Sequence, residues 1–376
     1  MSETYISFSE IESFLRCRTK WDISSANRRS IRHKTTPKLY LTLGSAVHKG
    51  LEAGVRRQQD PVEAVREYIK TEREAKVEEY KQLTETVPWP AELREFDEAA
   101  DLAAGLVQQY FWKYGTNNPL ADQGLTYLGI EVPFKIDITA NLDPNWDGRS
   151  IFFCGTLDGI AVDEFGQIWI VENKTFTRKP SPEDIQWHFQ AQGYAVALEW
   201  LTGMPVAGVL YNGIAKKLIQ EPKVLQSGLL SMDKRQATTL QRYIDTLTRN
   251  GEMVDNPRYG DILSHLRGID EQGDTRFFYR EKAFFTTEQL DAWRKDFFSV
   301  VNEMLDNPRI YRTIPYDGCG DCWYRDLCHT THSGGDVDYL MESRYTTGSY
   351  GTVNEVKGKT PVQISSVEEL KEYLSD

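Results

Sequence analysis

Long apolar runs are missing from this 376-residue chain, and no stretch approaches the roughly 20 residues needed to span a bilayer. The opening MSETYISFSE lacks a basic segment followed by an apolar one, so a cytoplasmic protein with no membrane association is expected. The five cysteines are odd in number, which in that compartment argues against a disulfide framework. No GxxxxGK[ST] stretch occurs, which excludes a recognisable helicase motor, and no internal repeats are found. An excess of positive charge is lacking too: 44 Lys and Arg stand against 56 Asp and Glu, for a net charge of −12. That average speaks against a polyanionic partner, although a nucleic-acid enzyme needs only a local basic groove.

What is present describes a globular protein, with 40% hydrophobic and 12% aromatic residues, enough for a sizeable core. Basic residues gather in 28–38, where Arg28, Arg29, Arg32, Lys34 and Lys38 occur with no acid, while 333–376 is acidic. Overlapping Ser7/Glu10 and Ser9/Glu12 pairs precede Ile11, Phe14 and Leu15 and predict a helix over 9–22 with Cys17 near its middle. Leu43, Val47, Leu51 and Val55 at steps of four predict a second helix over 43–58, with Gly44 and His48 on an adjacent stripe. Charged helical patterns follow over 61–82 and 91–114, broken at 87–90. A strand is read over 126–138. Ser181-Pro182-Glu183-Asp184 is an N-cap serine, an N1 proline and first-turn acids, so a helix should run to Leu201 and stop at Gly203. A strand near 205–212 and helices over 232–250 and 286–305 follow, with a loop-rich stretch between those helices. The Gly/Ser/Thr-rich tail from 333 reads as loosely held, with a short amphipathic helix near 366.

The strongest local signal is IFFCGTLDGIAV–DEFG–QIWIVENKTF, two β-rich runs around a turn. If that hairpin is symmetric about Phe165, Asp158 lies opposite Glu172. Cross-strand partners stand about 5 Å apart on one face. The strand period of two adds Lys174 to that face and turns Asn173 away. Two carboxylates and an ammonium at one strand end are what metal-assisted phosphodiester hydrolysis requires. Hard oxygens hold Mg²⁺ or Mn²⁺, and a lysine orients water and offsets developing charge. An ordinary cross-strand salt bridge would need the same three residues.

Their context is fuller: Gly44-Ser-Ala-Val-His48, Gly155-Thr-Leu-Asp158, Glu172-Asn-Lys174 and Gln190-x-x-x-Tyr194. This order resembles the RecB-like branch of the PD-(D/E)xK nuclease superfamily, whose pattern is G-x-x-x-H, G-x-x-D, (D/E)-x-K and Q-x-x-x-Y. The resemblance spans 44–194. It implies that His48, Asp158 and Glu172 bind the metal and that Lys174 is catalytic. Gln190 and Tyr194 would shape the site or contact the DNA backbone, and their i, i+4 spacing puts both on one helix face. It also implies an α/β fold, a mixed central sheet flanked by helices with a restriction-endonuclease-like core. On that reading one nuclease domain covers 1–332, with core motifs in 44–212 and helical inserts over 60–125 and 213–315.

Cys319-x2-Cys322-x5-Cys328 supplies three thiolates within the segment 316–330, and Cys17 is the candidate fourth ligand. Cys154, beside Gly155 on a strand, reads as a small core residue. Spacing alone leaves zinc and an iron–sulfur cluster open, with His329 and His332 as spare nitrogen donors. The pattern resembles the staple of AddB-type and CRISPR-associated nucleases. That resemblance implies a structural [4Fe–4S] cluster joining the N- and C-terminal segments as a cap.

Arg28, Arg29, Arg32, Lys34, Arg178, Lys179 and the pair Lys216-Lys217 are candidate phosphate contacts, and Trp187 or Trp323 could stack on unpaired bases. Taken singly, each reads better as solvated charge or core aromatic. The expected function is a DNA exonuclease acting at single-stranded or end-resected DNA, with a recombination or helicase partner. Recombination and repair, phage replication and CRISPR-related processing are the settings expected. An endonuclease and an inactive nucleic-acid-binding protein are the alternatives.

Overall fold

The apolar run Ile168-Trp169-Ile170-Val171 is buried on both faces, the environment of a central strand. It belongs to a computed structural model that describes residues 3–34, 40–84, 90–143, 149–313, 319–320, 322–348 and 367–375. Lys38 of the basic run, the break at 87–89, positions 316–318 and 321 of the cysteine segment and 349–366 of the tail lie outside the described residues.

In chain order the strands are β1 (Glu3–Ile6), β2 (Ile31–His33), β3 (Leu125–Asp137), β4 (Ser150–Asp163), β5 (Ile168–Phe176), β6 (Val206–Ala215), β7 (Phe278–Phe284) and β8 (Tyr345–Thr347). The helices are α1 (Phe8–Arg16), α2 (Arg18–Ser24), α3 (Tyr40–Arg56), α4 (Pro61–Thr84), α5 (Pro90–Tyr114), α6 (Pro182–Gln186) and α7 (Phe189–Thr202), then α8 (Leu240–Arg249), α9 (Gly260–Glu271), α10 (Thr287–Leu305), α11 (Arg325–Ser333), α12 (Val337–Arg344) and α13 (Val367–Ser375).

Among the described residues, β1, β4, β5, β6 and β7 lie side by side in one mixed sheet, with β3 on β4. One edge of β4 runs antiparallel to β3. Its other edge is shared, pairing in parallel with β1 up to Ile6↔Phe153 and antiparallel with β5 from Gly159↔Val171 onward. The β4–β5 pairs are centred on Phe165, as the hairpin symmetry predicts. Past Val171, β5 keeps its partner β6 through Phe176↔Ala215 but leaves β4. The sheet therefore opens a cleft at Asp158 and Glu172.

Both faces are covered by helices. On one, Phe8, Ile11 and Phe14 of α1 join residues of α7 and α10, including Tyr194, Trp293 and Phe297, in the main core. On the other, Val47 and Leu51 of α3, Val65 of α4 and Val107 of α5 pack over Ile130 and Ile214. The mixed α/β sheet flanked by helices is the expected fold class. The stretches read as inserts contribute to it directly: α4 and α5 form one of the covering layers, and β7 and α10 belong to the sheet and main core.

Several element boundaries differ from the sequence reading. The helix expected over 9–22 is broken at Cys17, whose backbone is extended (φ −161°, ψ 109°). Ser7 caps α1, but the Glu10 carboxylate does not close a box. It accepts instead from Trp21 Nε1 at 3.3 Å and Asn27 Nδ2 at 3.0 Å, tying α1 to α2. The helix after Ser181 stops at Trp187, and α7 starts afresh after His188 before ending on left-handed Gly203 (φ 66°). The helix predicted over 232–250 begins only at Leu240, and the loop-rich stretch beyond it contains α9 and β7. The tail is not loose where it is described: β8 pairs with β2, and α13 buries Leu370 against β3.

Candidate active site

Asp158 stands on β4 where β5 departs and is 8% exposed, and Glu172, first beyond the ladder on β5, is 2% exposed. On the side that β4 has left, main-chain groups of β5 have no neighbouring strand, and side chains take the strand's place. Asn173 N–H donates to Asp158 Oδ2 at 3.0 Å, and Asn173 C=O accepts from His48 Nε2 at 2.9 Å. His48 reaches the cleft from α3. Gly44, one turn before His48, is not a point of close packing. A Cβ there would meet only Thr175 Oγ1 at 3.9 Å, whereas Gly54 on the same helix would clash with the Phe111 ring at 2.2 Å.

The other imidazole nitrogen, His48 Nδ1, lies 2.8 Å from Glu131 Oε1 and 3.9 Å from Asp158 Oδ1. Glu131 was not among the residues singled out by sequence. Its register on β3, between Ile130↔Gly159 and Val132↔Leu157, places it opposite Asp158. Its φ of 50° is left-handed, a rare state for a non-glycine residue inside a strand. Neither the motif spacing nor the strand pattern of TYLGIEVPF marks it; only the cross-strand register would have found it.

One ligand atom each from His48, Glu131 and Asp158 lie within 4.8 Å of one another. Burial, and then the charge of Glu172, push the Asp158 carboxyl up to about 7. Burial opposes the charge of His48, but the carboxylates of Asp158 and Glu131 outweigh it and raise the imidazole to about 9. Glu172 Oε2 is buried with no hydrogen-bond partner, while Oε1 meets Lys174 Nζ at 2.6 Å. An orphaned carboxylate oxygen beside two converging carboxylates and an imidazole fits a divalent cation.

The face shared by Glu172 and Lys174 meets α7. Lys174 Nζ donates to Gln190 Oε1 at 3.5 Å, and Gln190 Nε2 donates to Tyr194 Oη at 2.7 Å. Burial disfavours the lysine's charge, yet Glu172 and Asp158 more than compensate, so it stays an ammonium. Tyr194 is held neutral by burial and by the nearby carboxylates. Beside this row a cavity of 260 Å³ is lined by Glu172, Lys174, His188, Ile185 and Tyr211. Trp187, next to His188, is 68% exposed.

Cys17, Cys319 and Cys322 all lie near enough to Cys328 to act on its thiol. Cys17 lies at the α1–α2 junction, Cys319 and Cys322 precede α11, and Cys328 lies within it. The Cys328 thiol is raised by burial, opposed by Arg312, and raised further by the charges of Cys17, Cys322 and Cys319. Cys154 is a buried core residue whose thiol burial pushes up to about 12. The basic run is in part tied down near this lobe: Arg28 pairs with Asp22 at 2.9 Å, and Lys34 Nζ donates to the Glu342 carbonyl. Arg29 is exposed and Arg32 half-buried. Arg178 and Lys179 are exposed just past Lys174, with Lys179 Nζ 4.0 Å from the Tyr279 ring centre. Trp323 packs into the small core around Tyr324 and Tyr345.

No curated protein matches the chain. Among solved structures, one described as "Crystal structure of SSO0001" matches at 12% sequence identity and a TM-score of 0.27, over 70% of this chain and 94% of that one. That likeness is too slight to bear on the fold. The sequence profile of the PD-(D/E)XK nuclease superfamily, in contrast, matches residues 5–329, from β1 to α11. The chain belongs to the PD-(D/E)XK nuclease superfamily, and membership implies a metal-dependent nuclease acting on nucleic acid.

Proposed function

We propose that the protein is a DNA exonuclease using Mg²⁺ or Mn²⁺, with His48, Asp158, Glu172 and the additional Glu131 around the metal. The observation that carries this reading is the convergence of His48, Glu131 and Asp158 within 4.8 Å at the cleft that also holds Glu172 and Lys174. A bound divalent ion would supply an acidified water and stabilise charge at the phosphorus. The protein's own groups do the rest. Lys174, kept cationic by Glu172 and steered by Gln190, orients the nucleophilic water and offsets the phosphate charge. Tyr194 stays protonated and, with its oxygen accepting from Gln190, keeps its own hydrogen available to a phosphate oxygen. Arg178 and Lys179, at the exit of the lysine strand, are the better placed backbone contacts. Arg28, Arg29, Arg32 and Lys34 would act at a distance, on the cysteine-bearing lobe.

Action at DNA ends is supported by the motif order and cysteine pattern that resemble the RecB-like branch. That branch would place a [4Fe–4S] cluster on Cys17, Cys319, Cys322 and Cys328, with zinc as the competing occupant. With no motor motif in the chain, a separate helicase or recombination partner would supply unwound DNA. The cytoplasm is the proposed compartment.

The deciding experiment incubates end-labelled linear DNA and covalently closed circular DNA with the protein and Mg²⁺ or Mn²⁺. Degradation of the linear form alone supports the exonuclease, and cutting of the circle replaces it with an endonuclease. Asp158→Ala and Lys174→Ala should each fold and lose cleavage by about 10³-fold or more. Cleavage retained by both variants would sink the site assignment, and no metal-stimulated cleavage by the unmodified protein would favour an inactive binding protein.

A further inference from the structure

The residue between Glu172 and Lys174 is treated by the motif as a spacer. Here it is Asn173, 1% exposed, and it touches more of the site than any spacer need do. Its main-chain N–H holds Asp158 Oδ2 and its carbonyl holds His48 Nε2, so one peptide segment fixes two groups of the metal centre. Its side chain points to the opposite face of the sheet. There Oδ1 accepts from Asn212 Nδ2 at 2.7 Å, and Asn212 Oδ1 accepts from Arg280 Nε at 2.9 Å. The three residues are register partners across β5, β6 and β7.

Arg280 anchors the row. Its side chain is 4% exposed, it pairs with Asp122, it donates through Nη2 to Tyr110 Oη at 2.9 Å, and its guanidinium lies 3.5 Å from the Tyr114 ring centre. A guanidinium can only donate, so Nε forces the Asn212 oxygen toward itself. Asn212 Nδ2 must then face Asn173, and also donates to Tyr110 Oη at 3.0 Å. The orientation of both amides follows from one unambiguous donor.

We infer that Asn173 is a positioning residue, a strut whose side chain is braced by Asn212 and Arg280 behind the sheet so that its main chain holds Asp158 and His48 in register for the metal. Side chains that orient metal ligands in this way typically govern affinity by about 10- to 100-fold. The inference rests on the reading of His48, Glu131 and Asp158 as a metal centre.

The test measures Mn²⁺ binding by calorimetry, together with the rise in Tm that Mn²⁺ produces, for the unmodified protein, Asn173→Ala, Asn212→Ala and the double variant. Asn212 lies on β6 and contributes no atom to the cleft, so it decides the matter even if Asn173→Ala does not fold. Each single variant is expected to bind Mn²⁺ about tenfold more weakly and to show a smaller Mn²⁺-induced rise in Tm. The double variant should lose little more than either single, because both break one brace. A purely structural asparagine would lower Tm equally with and without Mn²⁺. Unchanged Mn²⁺ affinity in the folded variants, or additive losses, would overturn the strut alone. No Mn²⁺ binding by the unmodified protein would instead overturn the metal-centre reading and the strut with it.

Discussion

A left-handed backbone inside a strand costs a non-glycine residue about 1–2 kcal/mol, and Glu131 carries that strain (φ 50°) opposite Asp158. Strain of this kind persists where the surroundings impose it, here by setting the carboxylate against His48. Glu131→Gln keeps the shape and removes one charge, so Mn²⁺ affinity measured by calorimetry should fall about tenfold, with Tm little changed. Protons compete for the same atoms. A cation binds the unprotonated forms of His48, raised to about 9, and Asp158, raised to about 7. Mn²⁺ affinity should therefore climb as pH rises through about 7 and on toward about 9, then level off. Because Glu131 helps raise His48, the Glu131→Gln variant should reach its plateau at lower pH. A flat affinity profile across this range would remove both groups from the ligand set. The convergence of Asp158, Glu172 and Lys174 was legible in the chain, because period-two alternation and hairpin symmetry depend only on local order, whereas His48 on its helix was suggested only by the resemblance. Glu131 was not legible, since its place follows from pairing between strands whose order no local pattern gives.

At the scale of elements, α7 meets α1 and α10 without room to spare. A Cβ on Gly193 would lie 2.4 Å from ring atoms of both Phe8 and Trp293. Gly193→Ala should push α7 away from this aromatic layer and cost about 1–3 kcal/mol in urea unfolding. The same helix carries Gln190 and Tyr194, so cleavage should fall more than the remaining folded fraction explains. If stability and cleavage both stay at their original values, the packing at Gly193 is looser than described. The helix ends marked by Ser181 and Gly203 were readable because capping is local chemistry. β7 was hidden for a different reason: Arg280 points inward to brace Asn212, which disturbs the polar–apolar alternation that reveals a strand. Cys17 breaks a helix whose periodicity runs on past it, because the Glu10 contacts of α2 outweigh helix propensity.

Across the whole molecule, Cys17 comes from the first part of the described nuclease body and Cys319, Cys322 and Cys328 from the last. If a [4Fe–4S] cluster joins them, anaerobically purified protein should be brown, and Cys17→Ser should lose iron and lower Tm by several degrees while leaving Asp158 and Lys174 in place. Colourless protein with one zinc per chain would assign the site to zinc. The cysteine spacing was legible, but the clasp around it was not. β2 pairs with β8, and Tyr324 Oη donates to the Ile31 carbonyl, contacts between residues some three hundred positions apart.

That clasp sets an order of events during synthesis. At about 5–20 residues per second, β2 emerges roughly 15 to 60 s before β8 can reach it. A nascent or stalled chain ending before Tyr345 would therefore expose the Ile31–His33 edge and leave Ile23 of α2 without Tyr345 in its small core. The N-terminal lobe can be finished only after Tyr345–Thr347 have left the ribosome, so a product that stops before them would carry the carboxylate cleft without its completed clasp.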